Sequence, residues 1–124
     1  MKTERKKFYL MGSGRRWAWV RMDKLKKRIK WIDRPTGSDE AEYLGLINIL
    51  RYVNPGSQLL IIVSSIAVYE LFYGKRLYKQ QHLKELRNQA RTLVSDRELE
   101  VEIQYVHRSE HLIRRWFVLE KPPK

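Results

Sequence analysis

Leu59-Leu60-Ile61-Ile62-Val63 is an unbroken apolar run between Pro55-Gly56-Ser57 and Ser64-Ser65. It is too short for an ordinary helix, and its Ile and Val suit a pleated surface. The pattern predicts a central strand buried on both faces, which needs helices on each side. Ahead of it, Lys7–Ser13 alternates Phe8 and Leu10 against Tyr9 and Met11. Arg16–Met22 sets Trp17, Trp19 and Arg21 against Ala18, Val20 and Met22, and Leu25–Ile32 sets Leu25, Ile29 and Trp31 against Lys24, Lys26, Arg28 and Lys30. Alternation at period two with short turns, Gly12-Ser13-Gly14 and Asp23-Lys24, predicts a three-stranded antiparallel meander.

The period then lengthens. Leu46, Ile49, Leu50 and Val53 form one stripe of a helix from Ser38, its expected N-cap, to about Val53, with Asp39 and Glu40 in the first turn. Glu42 extends that stripe. On spacing alone a glutamate there is expected to reach solvent past the helix end. After the central strand come a short helix, Ile66–Tyr73, stopped by Gly74, and a longer one, Gln81–Val94. Glu98–Val106 alternates as a half-buried strand. Ser109 is expected to cap a last helix to about Leu119, buried through Leu112, Ile113, Trp116 and Phe117. Residues 1–6 and 120–124 read as frayed tails.

At 124 residues the chain is read as one domain. It has no cysteine, which excludes a disulfide or thiolate metal site and fits a reducing cytoplasm. No segment resembles a secretory signal or a membrane span, since Ser64, Ser65 and Glu70 interrupt the most apolar region. Net charge is +12 and unevenly spread: residues 1–34 hold 13 Lys and Arg against Glu4, Asp23 and Asp33. So local a basic footprint favours nucleic acid over a merely solubilising face. The candidate contacts are Lys24, Lys26, Arg28 and Lys30 on the third strand, Arg15 and Arg16 at the first turn, and Lys75 and Arg76 in the connector Lys75–Lys79. Cations on that strand would also guard a sheet edge against pairing. Trp17, Trp19 and Trp31 could stack on bases, although packing is the commoner use of such residues. His107, Glu110 and His111 lack the order of a zinc motif, Ser64 has no base within its segment, and no small-molecule substrate is evident.

The order β-β-β-α-β-α-α-β-α resembles the ribonuclease H-like superfamily: an α/β fold with a mixed sheet of about five strands and helices on both faces. Glu40-Ala41-Glu42-Tyr43-Leu44-Gly45-Leu46-Ile47 looks like the family's first-helix motif. Tyr73-Gly74-Lys75 with His82-Leu83-Lys84-Glu85-Leu86 is similar to the segment after its central strand. Val101–Val106 with Arg108-Ser109-Glu110 looks like its last strand and following loop.

The resemblance implies a site of four carboxylates around two divalent metals. Carried over, the first-strand Asp falls on Met11, the helix Glu on Glu42, the Asp at the central strand tip on Ser64, the last-helix Asp on Arg115, and the loop His or Asn near His111. Only Glu42 keeps its carboxylate, and one is too few for hard divalent cations. No catalytic residues, metal or other cofactor are therefore expected; Mg²⁺ would belong only to an active site. The resemblance also implies that Glu42 lies beside Arg115, ion-paired to it, with the Ser64 hydroxyl as a further partner.

The resulting expectation is an inactive ribonuclease H-like protein that binds a duplex or RNA–DNA hybrid through its basic meander. The alternatives are a protein-interaction module, such as a phage or mobile-element product binding a host factor, and a weak nuclease using displaced carboxylates such as Asp23 or Asp39.

Overall fold

The computed structural model describes residues 5–34, 36–75 and 81–119. Strands β1 (Lys6–Ser13), β2 (Arg16–Arg21) and β3 (Lys26–Trp31) form the meander; helix α1 (Ser38–Tyr52) leads to β4 (Gln58–Val63). Helices α2 (Ile66–Phe72) and α3 (Gln81–Asp96), strand β5 (Glu100–Tyr105), a single 3-10 turn (Arg108–Glu110) and helix α4 (Arg114–Leu119) follow. The sheet order is β3-β2-β1-β4-β5. The meander is antiparallel, and β4 pairs parallel with both β1 and β5. This is the mixed sheet with helices on both faces that the family resemblance implies. Among the described residues no helix is long and apolar enough to cross a membrane.

The apolar run sits at the centre because both its edges are paired. Leu59, Ile61 and Val63 face the larger core with Phe8, Leu10, Trp17 and Trp19, closed by Tyr43, Leu46, Ile49 and Leu50 of α1 and by residues of α2 and α3. The other face is thinner: Met11 and Ala18 meet Ile113 and Phe117 of the α4 segment. Each fully buried large apolar side chain contributes about 1.5–3 kcal/mol. Trp19 also donates from Nε1 to Asn48 Oδ1 at 2.9 Å, fixing α1 on β2.

The structure corrects several boundaries. Leu25 is not in a strand: it lies in the β2–β3 turn with φ 50° and is 80% exposed. Lys24 shares that turn, so the strand itself carries Lys26, Arg28 and Lys30 on the face shared with Trp17 and Trp19. Ser38 is the first helical residue rather than the cap; Gly37 holds the cap position and makes no side-chain bond there. Ser109 lies in the 3-10 turn, where its N–H and hydroxyl meet His107 Nδ1, and the last helix waits until Arg114. Leu112 is consequently exposed. Lys6 belongs to β1, and Arg5 pairs with Glu102, so the frayed segment expected over residues 1–6 does not reach that far. The tail 120–124 and Arg76 lie outside the described residues.

Candidate functional site

Parallel β1 and β4 end side by side, and α1 crosses over their tips. In open α/β sheets such a crevice outside the carboxyl ends of the strands is where ligands bind. The backbone approach is very close here. A Cβ on Gly12 would fall 2.3 Å from the Glu42 nitrogen and 2.5 Å from its Cα, so only glycine lets β1 pass under α1.

That approach seals Glu42, which is 1% exposed. The expectation of a carboxylate reaching solvent is thus overturned: α1 begins four residues before Glu42, and its first turn lies over the sheet. Glu42 Oε1 accepts from the Gly12 N–H at 2.9 Å and the Ser64 hydroxyl at 2.5 Å. Oε2 accepts from the Ser64 N–H at 3.1 Å and the Ser65 N–H at 2.8 Å. Burial pushes the Glu42 carboxyl up to about 7, with the Ser64 hydroxyl and the three N–H groups pulling the other way.

The expected Glu42–Arg115 pair does not form. Arg115 is exposed on α4, while Glu42 takes all its described bonds from β1 and the β4–α2 junction. The arginine at the cleft is Arg108, whose Nη2 donates to the Gly12 carbonyl at 2.7 Å. Ser65 caps α2, accepting from the Val68 N–H at 3.1 Å, and donates to Asp39 Oδ1 at 2.8 Å. A cleft of about 310 Å³ opens above, lined among others by Ser38, Asp39, Ser64 and Arg108.

The other carried-over positions are dispersed. Met11 is fully buried on the α4 face, among Ala18, Ile113 and Phe117. His111 is buried, with Nε2 3.0 Å from the Ile62 carbonyl and its ring edge-on to Tyr9. Burial holds its pKa below the usual imidazole value, the Ile62 carbonyl opposing and Arg108 reinforcing. The residues present do not fit two divalent metals. Both Glu42 oxygens are already accepting two hydrogen bonds, Met11 is apolar, and Arg108 brings positive charge. Among the described residues no three of His, Cys, Asp and Glu cluster as a metal site would require. Of the displaced carboxylates, Asp39 lines the cleft, whereas Asp23 is bound to Arg21 in the β2–β3 turn.

The basic residues are spread rather than gathered at the cleft. Lys26, Arg28 and Lys30 run the length of β3 and are exposed, with Lys30 opposite Trp17 at the cleft end and Lys26 opposite Arg21 at the far end. Arg15 is exposed in the first hairpin. Arg16 instead packs its guanidinium 4.1 Å from the Phe117 ring centroid and 4.9 Å from that of Trp31. Lys75 lies over Tyr69 and Tyr73. Trp17 and Trp19 are core residues, and only Trp31 of the three is partly open. Sequence reasoning missed Gly12, Ser65 and Arg108 as parts of the site. Arg108 was visible only inside the loop motif, and the backbone donors carry no side-chain signal at all.

No protein-family model and no curated protein matches the chain. Solved structures do. The N-terminal RNase H domain of a Mycobacterium tuberculosis protein, fused to maltose-binding protein, superposes with TM-score 0.65 at 20% identity, over 86% of each chain. RNase H1 from the halophilic archaeon Halobacterium salinarum gives 0.69 at 21%, over 86% of this chain and 88% of that one. LC11-RNase H1 in complex with an RNA/DNA hybrid gives 0.72 at 18%, with the same coverage. With the sheet order and crossover helix described above, these matches establish that the chain has the ribonuclease H-like fold.

Proposed function

We propose that this chain is a nucleic-acid-binding protein of the ribonuclease H fold that has given up metal-dependent cleavage. The observation that carries the reading is the state of Glu42: its carboxylate is enclosed by four donors of its own chain. A group so engaged holds β1, α1 and β4 together and has no oxygen to spare for a cation. The binding half of the reading is supported by the exposed cations along β3 and by the hybrid bound to LC11-RNase H1. Contacts to a sugar–phosphate backbone need cations and backbone donors, not a metal centre.

The test is a salt titration of hybrid binding by the wild type and by a Lys26→Gln, Arg28→Gln, Lys30→Gln variant. Three lost phosphate contacts should flatten the slope of log affinity against log salt by roughly 2 to 3. An unchanged affinity and slope would make the row a device for solubility. Mg²⁺-dependent hybrid cleavage by the wild type, abolished by Glu42→Gln, would overturn the inactive reading and favour a nuclease that recruits Asp39. A protein partner retained at high salt and after nuclease treatment would favour the interaction-module reading instead.

A further inference from the structure

The meander has a second face, turned towards α4. Lys26, Arg28 and Lys30 point the other way, with Trp17 and Trp19. On the α4 side, register sets Lys27 across from Val20, Ile29 from Ala18 and Trp31 from Arg16. Helix α4 has six residues and spans about 9 Å, well short of the roughly 20 Å of β3. Its Ile113 and Phe117 pack on Met11 and Ala18. Val20, Ile29 and Trp31 around that contact stay only half-buried.

At each end of this side of β3 a cation meets an aromatic ring. The Arg16 guanidinium lies 4.9 Å from the Trp31 ring centroid and 4.1 Å from that of Phe117. At the other end, Lys27 Nζ lies 5.3 Å from the ring centroid of Trp116, which is half-buried on α4. Lys27 and Trp31 stand four residues apart on one face, about 13 Å, with Ile29 between them. β3 is the outermost strand of the sheet, so this row runs along its rim. Among the described residues, the meander strands turn Lys7, Arg16 and Lys27 towards α4 and no acid. That charge is complementary to a polyanion. The half-open rings favour one with unstacked bases, because every base offers a π-face to an aromatic side chain once it leaves the duplex.

We propose that the α4-facing side of β3 is a track for single-stranded nucleic acid, with bases against Trp31 and Trp116 and a phosphate on Lys27. The inference rests on the nucleic-acid-binding reading and adds a site for unpaired strands on the face opposite the Lys26–Arg28–Lys30 row. The experiment measures binding of the full chain to a blunt hybrid and to an oligothymidine of about eight nucleotides, by fluorescence anisotropy. Trp31→Ala should weaken oligothymidine binding about tenfold and leave the blunt hybrid within about twofold. Trp31→Phe keeps a ring and should lose far less. Lys27→Gln alters an exposed side chain, so it tests the track even if Trp31→Ala fails to fold. It should flatten the salt slope for oligothymidine by roughly 0.7. The Lys26→Gln, Arg28→Gln, Lys30→Gln variant should show the reverse preference, losing more affinity for the hybrid than for oligothymidine. Oligothymidine that fails to bind while the hybrid binds would overturn the track and leave the general reading standing. So would binding that Trp31→Phe, Trp31→Ala and Lys27→Gln leave unchanged. Polyglutamate bound as tightly as oligothymidine would also overturn it, since the face would then read charge alone. Failure of both nucleic acids to bind would overturn the track and the binding reading together.

Discussion

Replacing Glu42 by glutamine keeps the shape of the side chain and exchanges one acceptor for a donor. If the new NH₂ takes the Oε2 place, it confronts the N–H groups of both Ser64 and Ser65. If it takes the Oε1 place, the Ser64 hydroxyl can rotate and accept from it, and only the Gly12 N–H is orphaned. The second arrangement costs less, about 1–3 kcal/mol for one buried donor without a partner. Against this stands what the variant no longer has to do, which is hold a charge away from water. With its folded pKa raised from 4.5 to about 7, ionised Glu42 costs the fold on the order of 3 kcal/mol.

The sign of the pH dependence follows. Below 4.5 the carboxyl is protonated in both the folded and unfolded states, and Glu42 takes nothing from the stability of the fold. Between 4.5 and 7 the unfolded chain releases a proton that the folded protein keeps, so stability falls as pH rises; above 7 the loss is complete. His111 acts in the opposite sense: its depressed folded pKa gives stability that is present above the ordinary imidazole value and lost on acidification. Both proteins share that contribution, so it cancels in their difference. Urea unfolding should therefore show Glu42→Gln less stable than wild type by about 1–3 kcal/mol at pH 5, and equal or slightly more stable at pH 8. Parallel pH profiles would refute the argument. So would a wild type that gains on the variant from pH 5 to pH 8, since the donors would then outweigh burial.

Gly12→Ala drives a methyl group into the backbone of Glu42, which cannot swing aside, and should cost more than about 3 kcal/mol and lower Tm by roughly 10 °C or more. Arg108→Ala loses a bond to the Gly12 carbonyl and should cost about 1–2 kcal/mol, whereas the exposed Arg115→Ala should stay within about 0.5 kcal/mol; equal losses by chemical denaturation would restore Arg115 to the site. Met11→Asp places a carboxylate among Ala18, Ile113 and Phe117 and should cost about 3 kcal/mol or more, so a protein that keeps its Tm after this change would contradict the packing of the α4 face.

The element order was legible because periodicity reports which face of a segment is buried, and the faces here are well segregated. Leu25 shows the limit of alternation: it fits the period of β3, but the two-strand register closes at Lys26, and the turn takes Leu25 into a left-handed conformation that a branched chain seldom adopts. The final helix failed for a related reason. Ser109 is a good cap by type, yet His107 is placed to bond it first, and the chain makes one 3-10 turn before α4. The site was half legible. The stripe through Glu42 marks a buried direction, but its partners are N–H groups at Gly12, Ser64 and Ser65, and nothing in a side-chain pattern says where a backbone donor will point. Family spacing likewise places Arg115 correctly on the last helix without telling which way it faces, so it hid the role of Arg108.

The Glu42 bonds also bear on the order of events in folding. Gly12 and Ser64 stand 30 and 22 positions from Glu42, and the parallel β1–β4 pair cannot close until α1 has carried the chain back across the sheet. The carboxylate thus has its full set of donors only when the crossover is complete and the two central strands are in register. Interactions that assemble so late are largely absent from the transition state, and their loss falls on the rate of unfolding rather than the rate of folding. Glu42 then acts as a kinetic bolt, setting how long the assembled sheet persists more than how quickly it forms.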